Sequence, residues 1–92
     1  MSKSAFVFTL TLIAALTPLH WSEGAVVYHS NGDYARASEL YRASIKTWEE
    51  ATEKPPEDYE IVASNYADLL RSLGKARQAN QLEERARKKR RT

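Results

Sequence analysis

Three breaks in the sequence divide the chain after residue 18 into segments of helical length. Gly32 and Gly74 are two of only three glycines, and Pro55 and Pro56 are two of only three prolines. Glycine readily adopts the left-handed conformation that ends many helices, whereas proline cannot continue a helix. The sequence therefore predicts a series of helices that stop at these positions.

Between these breaks the apolar residues recur every three or four positions, which is the period of an amphipathic helix. The three series are Ala37, Tyr41, Ile45 and Trp48; Val62, Tyr66, Leu69 and Leu73; and Ala79, Leu82 and Ala86. Asp33 precedes the first series and is a good helix N-cap. If residues 19–30 are also helical, the chain is an all-α protein made of tandem antiparallel helical hairpins.

The two hairpins match each other in sequence, since Gly32 and Gly74 lie 42 positions apart. At this offset the matched pairs are Ala37 with Ala79, Leu40 with Leu82, and Ser44 with Ala86. Small side chains at such positions let two helix backbones approach closely, as an antiparallel hairpin requires. The sequence thus predicts an internal repeat.

The first unit resembles a tetratricopeptide repeat (TPR) at Trp21, Ala25, Tyr28, Gly32, Tyr34, Ala37, Tyr41 and Ser44. The second unit keeps Ala67, Leu70, Gly74, Ala79 and Ala86 but departs from the pattern at Ala63, Ala76 and Glu83. The long spacing and the proline-containing link are similar to the kinesin-light-chain class of these repeats. The resemblance covers roughly residues 18–88.

The resemblance implies a right-handed superhelix fragment in which the first helix of each hairpin lines a groove that binds a partner peptide or helix. The partner-binding residues that it implies are His29, Ser30, Ser64, Asn65, Asp68, Arg71 and Ser72. Some TPR proteins bind the terminal carboxylate of a partner with a cluster of basic residues and asparagine. That cluster is not present here, because Glu23 and Asp68 occupy stretches where positive charge would be needed. In the alternative interpretation, these polar residues are merely solvated helix positions.

Residues 1–24 resemble a secretory signal peptide, because Lys3 precedes an uncharged run from Ala5 to Leu16. Ser22 and Gly24 supply small residues for cleavage before Ala25, which predicts a periplasmic or secreted protein. The alternatives are an uncleaved membrane anchor and a buried helix, although the run is shorter than the roughly 20 residues that span a bilayer. The predicted repeat domain is 25–88, and its first repeat could begin near residue 18.

The last residues, 85–92, form a basic tail. Six of the 14 basic residues lie there, namely Arg85, Arg87, Lys88, Lys89, Arg90 and Arg91, although the net charge is only +2. The tail has three interpretations: a polar end cap favoured by the helix dipole, a contact with an anionic membrane or an acidic partner, and a nucleic-acid contact. Predicted export and the lack of interleaved aromatic residues make the nucleic-acid contact the weakest of the three interpretations.

The sequence offers no catalytic chemistry. It has no cysteine and only two histidines, His20 and His29, so a metal site or an acid–base pair is not expected. Adjacent acids such as Glu49 and Glu50 point about 100° apart on a helix and do not share a site. We therefore predict a non-enzymatic interaction scaffold without cofactors. Two repeats are fewer than usual, which predicts self-association or stable docking to a partner.

Overall fold

A computed structural model describes residues 19–51 and 54–91, and these residues form four α-helices and no strand. The helices are α1 (19–30), α2 (Tyr34–Glu50), α3 (Asp58–Ser72) and α4 (Ala76–Arg91). They are arranged as two helical hairpins in tandem, so the predicted all-α fold class is confirmed.

Both hairpin turns use the same backbone hydrogen bonds. Gly32 has a φ of 81° and Gly74 a φ of 77°, so each occupies the left-handed region that a side chain disfavours. In the first turn the Asp33 amide donates to the Tyr28 carbonyl at 2.9 Å, and in the second the Lys75 amide donates to the Leu70 carbonyl at 2.8 Å. Both are Schellman turns, which satisfy carbonyls at the end of the preceding helix. The predicted helix stops at both glycines are confirmed.

The helix starts differ between the two hairpins. Asp33 caps α2 as predicted, because its side chain accepts a hydrogen bond from the Arg36 amide at 3.3 Å. The corresponding residue before α4 is Lys75, whose cationic side chain lacks an acceptor. The link between α2 and α3 contains Pro55 and Pro56 just before α3 begins. Asp58 and Glu60 then place negative charge in the first turn of α3, where the helix dipole favours it.

The core consists of two kinds of contact. Between the hairpins, aromatic rings from α2 and α3 pack together: Tyr41 stacks on Tyr66 with centroids 5.5 Å apart, and Trp48 meets Tyr59 edge-on at 6.0 Å. Within the second hairpin the buried residues of α4 are Ala79, Leu82 and Ala86. The small side chains of Ala79 and Ala86 allow α3 and α4 to approach closely.

Two residues from the predicted motifs lie at the surface: Tyr34 from the TPR-like motif and Leu73 from the second apolar series. Tyr34 is 37% exposed; it stands at the first position of α2, where its ring meets the His29 ring edge-on at 5.6 Å. Leu73 is 42% exposed because α3 ends at Ser72 and the chain has already begun its turn.

The start of α1 bears on the predicted signal segment. Residues 1–18 lie outside the described residues, but residues 19–24 continue the same helix as 25–30. Ser22 is buried, and a side chain added at Gly24 would come within 3.3 Å of the Leu40 methyl group. Residues 19–24 are therefore part of the first hairpin. No helix in the described ranges is both long and apolar enough to span a bilayer.

Candidate functional site

The first helices of the two hairpins, α1 and α3, carry most of the exposed apolar surface. Six large hydrophobic residues are exposed in the described part of the chain, and four of them lie on these helices: Leu19, Val26, Val27 and Ile61. The other two are Tyr34, at the start of α2, and Leu73, in the turn after α3. Contiguous exposed apolar residues mark interaction surfaces, whereas single ones are normal, so the three on α1 are the stronger signal.

His29, near the end of α1, contacts α2. Its Nδ1 atom lies 3.1 Å from the Tyr41 hydroxyl, within hydrogen-bond distance, and its ring meets the Tyr41 ring edge-on at 5.9 Å. Since Tyr41 in turn stacks on Tyr66 of α3, one tyrosine side chain connects α1, α2 and α3. His29 is half-buried, so part of its ring remains accessible.

Asp68 and Arg71 lie together on α3, with Arg71 Nη1 3.7 Å from Asp68 Oδ1. Arg71 is also turned towards α4, where it donates to Asn80 Oδ1 at 3.0 Å and forms an ion pair with Glu83. Arg71 therefore connects the two helices of its hairpin, whereas the Asp68 side chain is 70% exposed and available to a partner.

Ser30 is exposed at the last position of α1, and the other predicted binding residues lie along α3. Ser64 is exposed and Asn65 is partly exposed, one turn before Asp68. Ser72 is exposed, but its hydroxyl donates to the Asp68 carbonyl at 3.1 Å. Because side chains three or four positions apart lie on the same face of a helix, Ile61, Ser64 or Asn65, and Asp68 form one continuous stripe.

The charge of Asp68 also affects Tyr41. Burial raises the pKa of the Tyr41 hydroxyl, and the negative charge of Asp68 raises it further. The Tyr41 hydroxyl thus stays neutral at ordinary pH. Through its contacts with His29 and Tyr66, the Tyr41 side chain meets residues of both first helices.

The basic tail is the last part of α4, and most of its side chains are engaged. Arg85 Nε lies 3.0 Å from Glu49, Arg87 Nη2 lies 2.6 Å from Glu84, and Arg90 Nη1 lies 2.8 Å from Glu60. These acids belong to α2, α4 and α3 respectively. The tail is therefore packed across the ends of the other helices rather than being a separate segment.

Lys89 completes this packing at the end of α2. Its Nζ atom donates to the carbonyls of Glu49 and Ala51 at 3.1 and 3.0 Å. The last carbonyls of a helix lack partners within the helix, and the helix dipole places negative charge there. Since α2 has no basic residue in its own last turn, α4 supplies the compensating cation.

Two features of this region were not predicted from the sequence. Tyr41 was assigned to the scaffold alone, although its hydroxyl joins the polar groups of the site. A tyrosine rather than a phenylalanine at a fully buried position was the available signal, because a buried hydroxyl needs a partner. The exposed valines of α1 were also missed; they lie beside the buried Ala25 and off the buried stripe.

The described residues hold no group of histidine and acidic side chains that could bind a metal ion. The histidine–tyrosine contact pairs two titratable groups, but the Tyr41 side chain is fully buried and could not reach a substrate. What the arrangement offers chemically is a mixed apolar and polar surface on a rigid helical frame.

Comparison with known proteins yields no match to a family model, to a curated sequence or to a solved structure. The TPR resemblance therefore depends on the residues of the two hairpins alone.

Proposed function

We propose that this protein is a non-catalytic interaction module that binds a partner peptide or helix across the exposed faces of α1 and α3. The observation that carries the proposal is the concentration of exposed apolar side chains on these two helices, alongside the polar stripe of α3. Binding surfaces of this type combine apolar contacts, which supply affinity, with a few fixed polar groups, which supply specificity.

The helices hold this surface in a fixed geometry. Tyr41 and Tyr66 join the two hairpins beneath it, and the Arg71 guanidinium fixes α3 against α4. A surface on rigid helices loses little conformational freedom on binding, and this favours affinity. Helix-in-groove recognition and extended-peptide binding are both compatible with such a frame.

The charges of the surface favour a basic partner. Glu23 is exposed on α1 between the apolar positions, and Asp68 is exposed on α3. Arg71, the nearest cation on α3, is shared between Asp68 at 3.7 Å and Glu83, so the two acids together exceed it by one charge. The partner segment that fits best therefore has two or more apolar side chains and at least one lysine or arginine. This charge pattern argues against recognition of a terminal carboxylate.

A displayed peptide library panned against the intact protein tests the proposal. We expect the enriched peptides to combine apolar and basic residues and to compete with one another. Amide chemical shifts should change on addition of a selected peptide mainly along α1 and α3. Substituting Ile61→Ser together with Asp68→Asn should weaken binding by about tenfold, the effect of losing roughly 1.4 kcal/mol.

A matched control is available on the second helices. Ala35→Ser together with Glu39→Gln changes one small apolar and one acidic residue on the exposed face of α2, and it should alter binding less than twofold. The proposal is wrong if the selected peptides shift residues of α2 and α4 instead, or if the two double variants weaken binding equally.

We do not propose the basic tail as the binding element. Arg85, Arg87, Lys89 and Arg90 already have partners in α2, α3 or α4, so binding an anionic surface through them would require those contacts to break.

We propose export as the cellular destination, on the strength of the signal-like residues 1–18. Cleavage after Gly24 would remove half of α1, including the buried Ser22. A cut before residue 19 would leave the first hairpin intact. The mass of the mature chain distinguishes these outcomes, and an uncleaved chain recovered from the cytoplasm would contradict export.

A further inference from the structure

A recess lies between α2 and α4. It has a volume of about 300 Å³, and its floor is formed by Ile45, Tyr66, Leu70 and Leu82. Its rim carries three basic residues, Arg42 and Lys46 from α2 and Arg85 from α4, together with Gln78 and Gln81. We call this recess the α2–α4 cleft. None of its lining residues belongs to the surface proposed above.

The rim of the α2–α4 cleft has an excess of positive charge. Its one acid, Glu49, is already paired with Arg85 at 3.0 Å and accepts a hydrogen bond from Tyr59 at 3.3 Å. Arg42 forms no ion pair within the described residues, and Lys46 reaches Glu50 only at 4.0 Å, with 72% of its side chain exposed. Two cations on α2 are therefore available to an incoming anion.

The basic surface continues beyond the cleft. A second hollow of about 450 Å³ is lined by Tyr59, Arg85, Lys88 and Lys89 and shares Glu49 with the first. The eight residues from Arg42 to Glu49 span about 10 Å along α2, at a rise of 1.5 Å per residue. That length suits one or two anchoring side chains of an extended segment, with its flanking residues over the basic rims.

We propose that the α2–α4 cleft binds an acidic peptide segment that inserts an apolar side chain between α2 and α4. The apolar floor would receive the anchor, Arg42 and Lys46 would pair with flanking carboxylates, and the amides of Gln78 and Gln81 would bind the peptide backbone. Charge complementarity selects this occupant, because a basic segment would meet like charges at every exposed rim cation. The proposal is independent of the surface on α1 and α3.

Fluorescence polarisation with the intact protein and a labelled peptide of sequence Glu-Asp-Leu-Phe-Glu-Asp tests the proposal. We expect saturable binding that weakens as the salt concentration rises, because partly exposed charges are screened over about 8 Å at 0.15 M ionic strength. The peptide Lys-Lys-Leu-Phe-Lys-Lys should not bind. Glu-Asp-Ser-Gly-Glu-Asp, which keeps the charges but lacks the anchor, should bind at least about tenfold more weakly, as expected for the loss of two buried apolar side chains.

Two double variants with the same change in net charge distinguish the cleft from general electrostatic attraction. Arg42→Glu with Lys46→Glu should weaken binding of the acidic peptide at least tenfold, whereas Lys75→Glu with Arg77→Glu, outside the cleft, should change it less than threefold. The double variant Arg42→Gln with Lys46→Gln removes the two charges without reversing them, so it is a milder change. Circular dichroism checks that this variant folds.

The proposal is overturned if both charge-reversal pairs weaken binding equally, or if the anchor makes no difference. It is also overturned if vesicles containing phosphatidylserine bind the protein through Arg42 and Lys46 while the acidic peptide does not, because the ligand would then be a lipid surface. Loss of peptide binding in the Ile61→Ser and Asp68→Asn variant would contradict the independence of the two surfaces.

Discussion

The contact between the hairpins and the contact within the second hairpin are built in opposite ways. Between α2 and α3 the space is filled by large rings, Tyr41 on Tyr66 and Trp48 against Tyr59. Between α3 and α4 small buried residues let the backbones approach, and the Arg71–Glu83 ion pair closes the edge. The first interface is therefore sensitive to lost volume, whereas the second is sensitive to added volume. Each can be perturbed by a substitution that the other would tolerate.

The largest expected effect is the loss of an aromatic ring between the hairpins. Tyr41→Ala removes a fully buried side chain together with its stack on Tyr66 and its contact with His29. We expect a loss of about 3–5 kcal/mol in the free energy of unfolding, the usual cost of deleting a large aromatic from a core. Chemical denaturation monitored by circular dichroism measures it. Tyr41→Phe keeps the ring and should lose only about 1 kcal/mol, the contribution of one hydrogen bond.

Alkaline pH should weaken the same interface through Tyr59. The pKa of Tyr59 is raised to about 12, first by burial and then by the charge of Glu49 and the hydrogen bond that Tyr59 donates to it, while Arg85 acts in the opposite direction. A pKa that is higher in the folded state means full stabilisation below pH 10, lost as the pH rises towards 12. The difference of about two pKa units corresponds to about 2–3 kcal/mol.

Thermal unfolding between pH 9 and 12, with tyrosine ionisation followed by absorbance, checks this dependence. The Tyr59→Phe variant should lose less stability over that range than the parent protein. Tyr34→Phe, at an exposed position, should leave the alkaline loss unchanged. Equal pH profiles for the parent and Tyr59→Phe would show that Tyr59 is not the titrating group.

Added volume should perturb the second hairpin. Ala79→Leu places three further carbon atoms at a fully buried position on α4, and we expect a cost of about 1–3 kcal/mol from overpacking against α3. Ala76→Leu, at an exposed position on the same helix, should change stability by less than about 0.5 kcal/mol. Denaturant midpoints of the two variants measure the difference. A stabilising effect of Ala79→Leu would mean that α3 and α4 do not pack closely there.

Removal of the cation at the end of α2 should have a smaller effect. Lys89→Met keeps most of the side-chain volume but loses two hydrogen bonds to the carbonyls of Glu49 and Ala51. Since the site is partly exposed, we expect a loss of about 1 kcal/mol. Lys88→Met is the matched control and should be nearly neutral. Hydrogen exchange should show faster opening of the last turn of α2 in the Lys89 variant only.

The smallest effect should come from the Arg71–Glu83 pair. Both side chains are partly exposed, so a double-mutant cycle with Arg71→Met and Glu83→Gln should give a coupling smaller than the effect of any variant above. The hydrogen bond from Arg71 holds the pKa of Glu83 below its ordinary value. The stabilisation from this ion pair is therefore fully present above about pH 4.3, the ordinary pKa of glutamate, and is lost as the pH falls through the lowered pKa of Glu83. Glu39→Gln, which forms no ion pair within the described residues, should leave the acid profile unchanged.

Local sequence signals predicted the helices and their turns. Gly32 and Gly74 act on their immediate neighbours, and the periodicity of each helix is contained in its own segment, so both could be read without knowledge of the fold. The repeat offset was also visible, and the matching backbone hydrogen bonds of the two turns lie 42 residues apart.

The contacts that define the sites could not be read in this way. Lys89 meets a carbonyl 40 positions earlier in the chain, and Arg71 meets Glu83 across a turn. Such pairs depend on how the helices rotate and slide against each other, which periodicity leaves open. The same holds for the α2–α4 cleft, where Arg42 and Gln78 come together only after both hairpins pack.

The Lys89 contact makes the end of α2 depend on the completeness of the chain. A product that stops before residue 85, through interrupted synthesis or proteolysis, would keep the first three helices but lose the cations that cover the end of α2. Glu49 and Glu50 would then lie at the negative end of the helix dipole with no compensation from α4. We expect the last turn of α2 to fray in such a fragment. The final turns of α4 thus stabilise a helix end that lies 40 positions earlier in the chain.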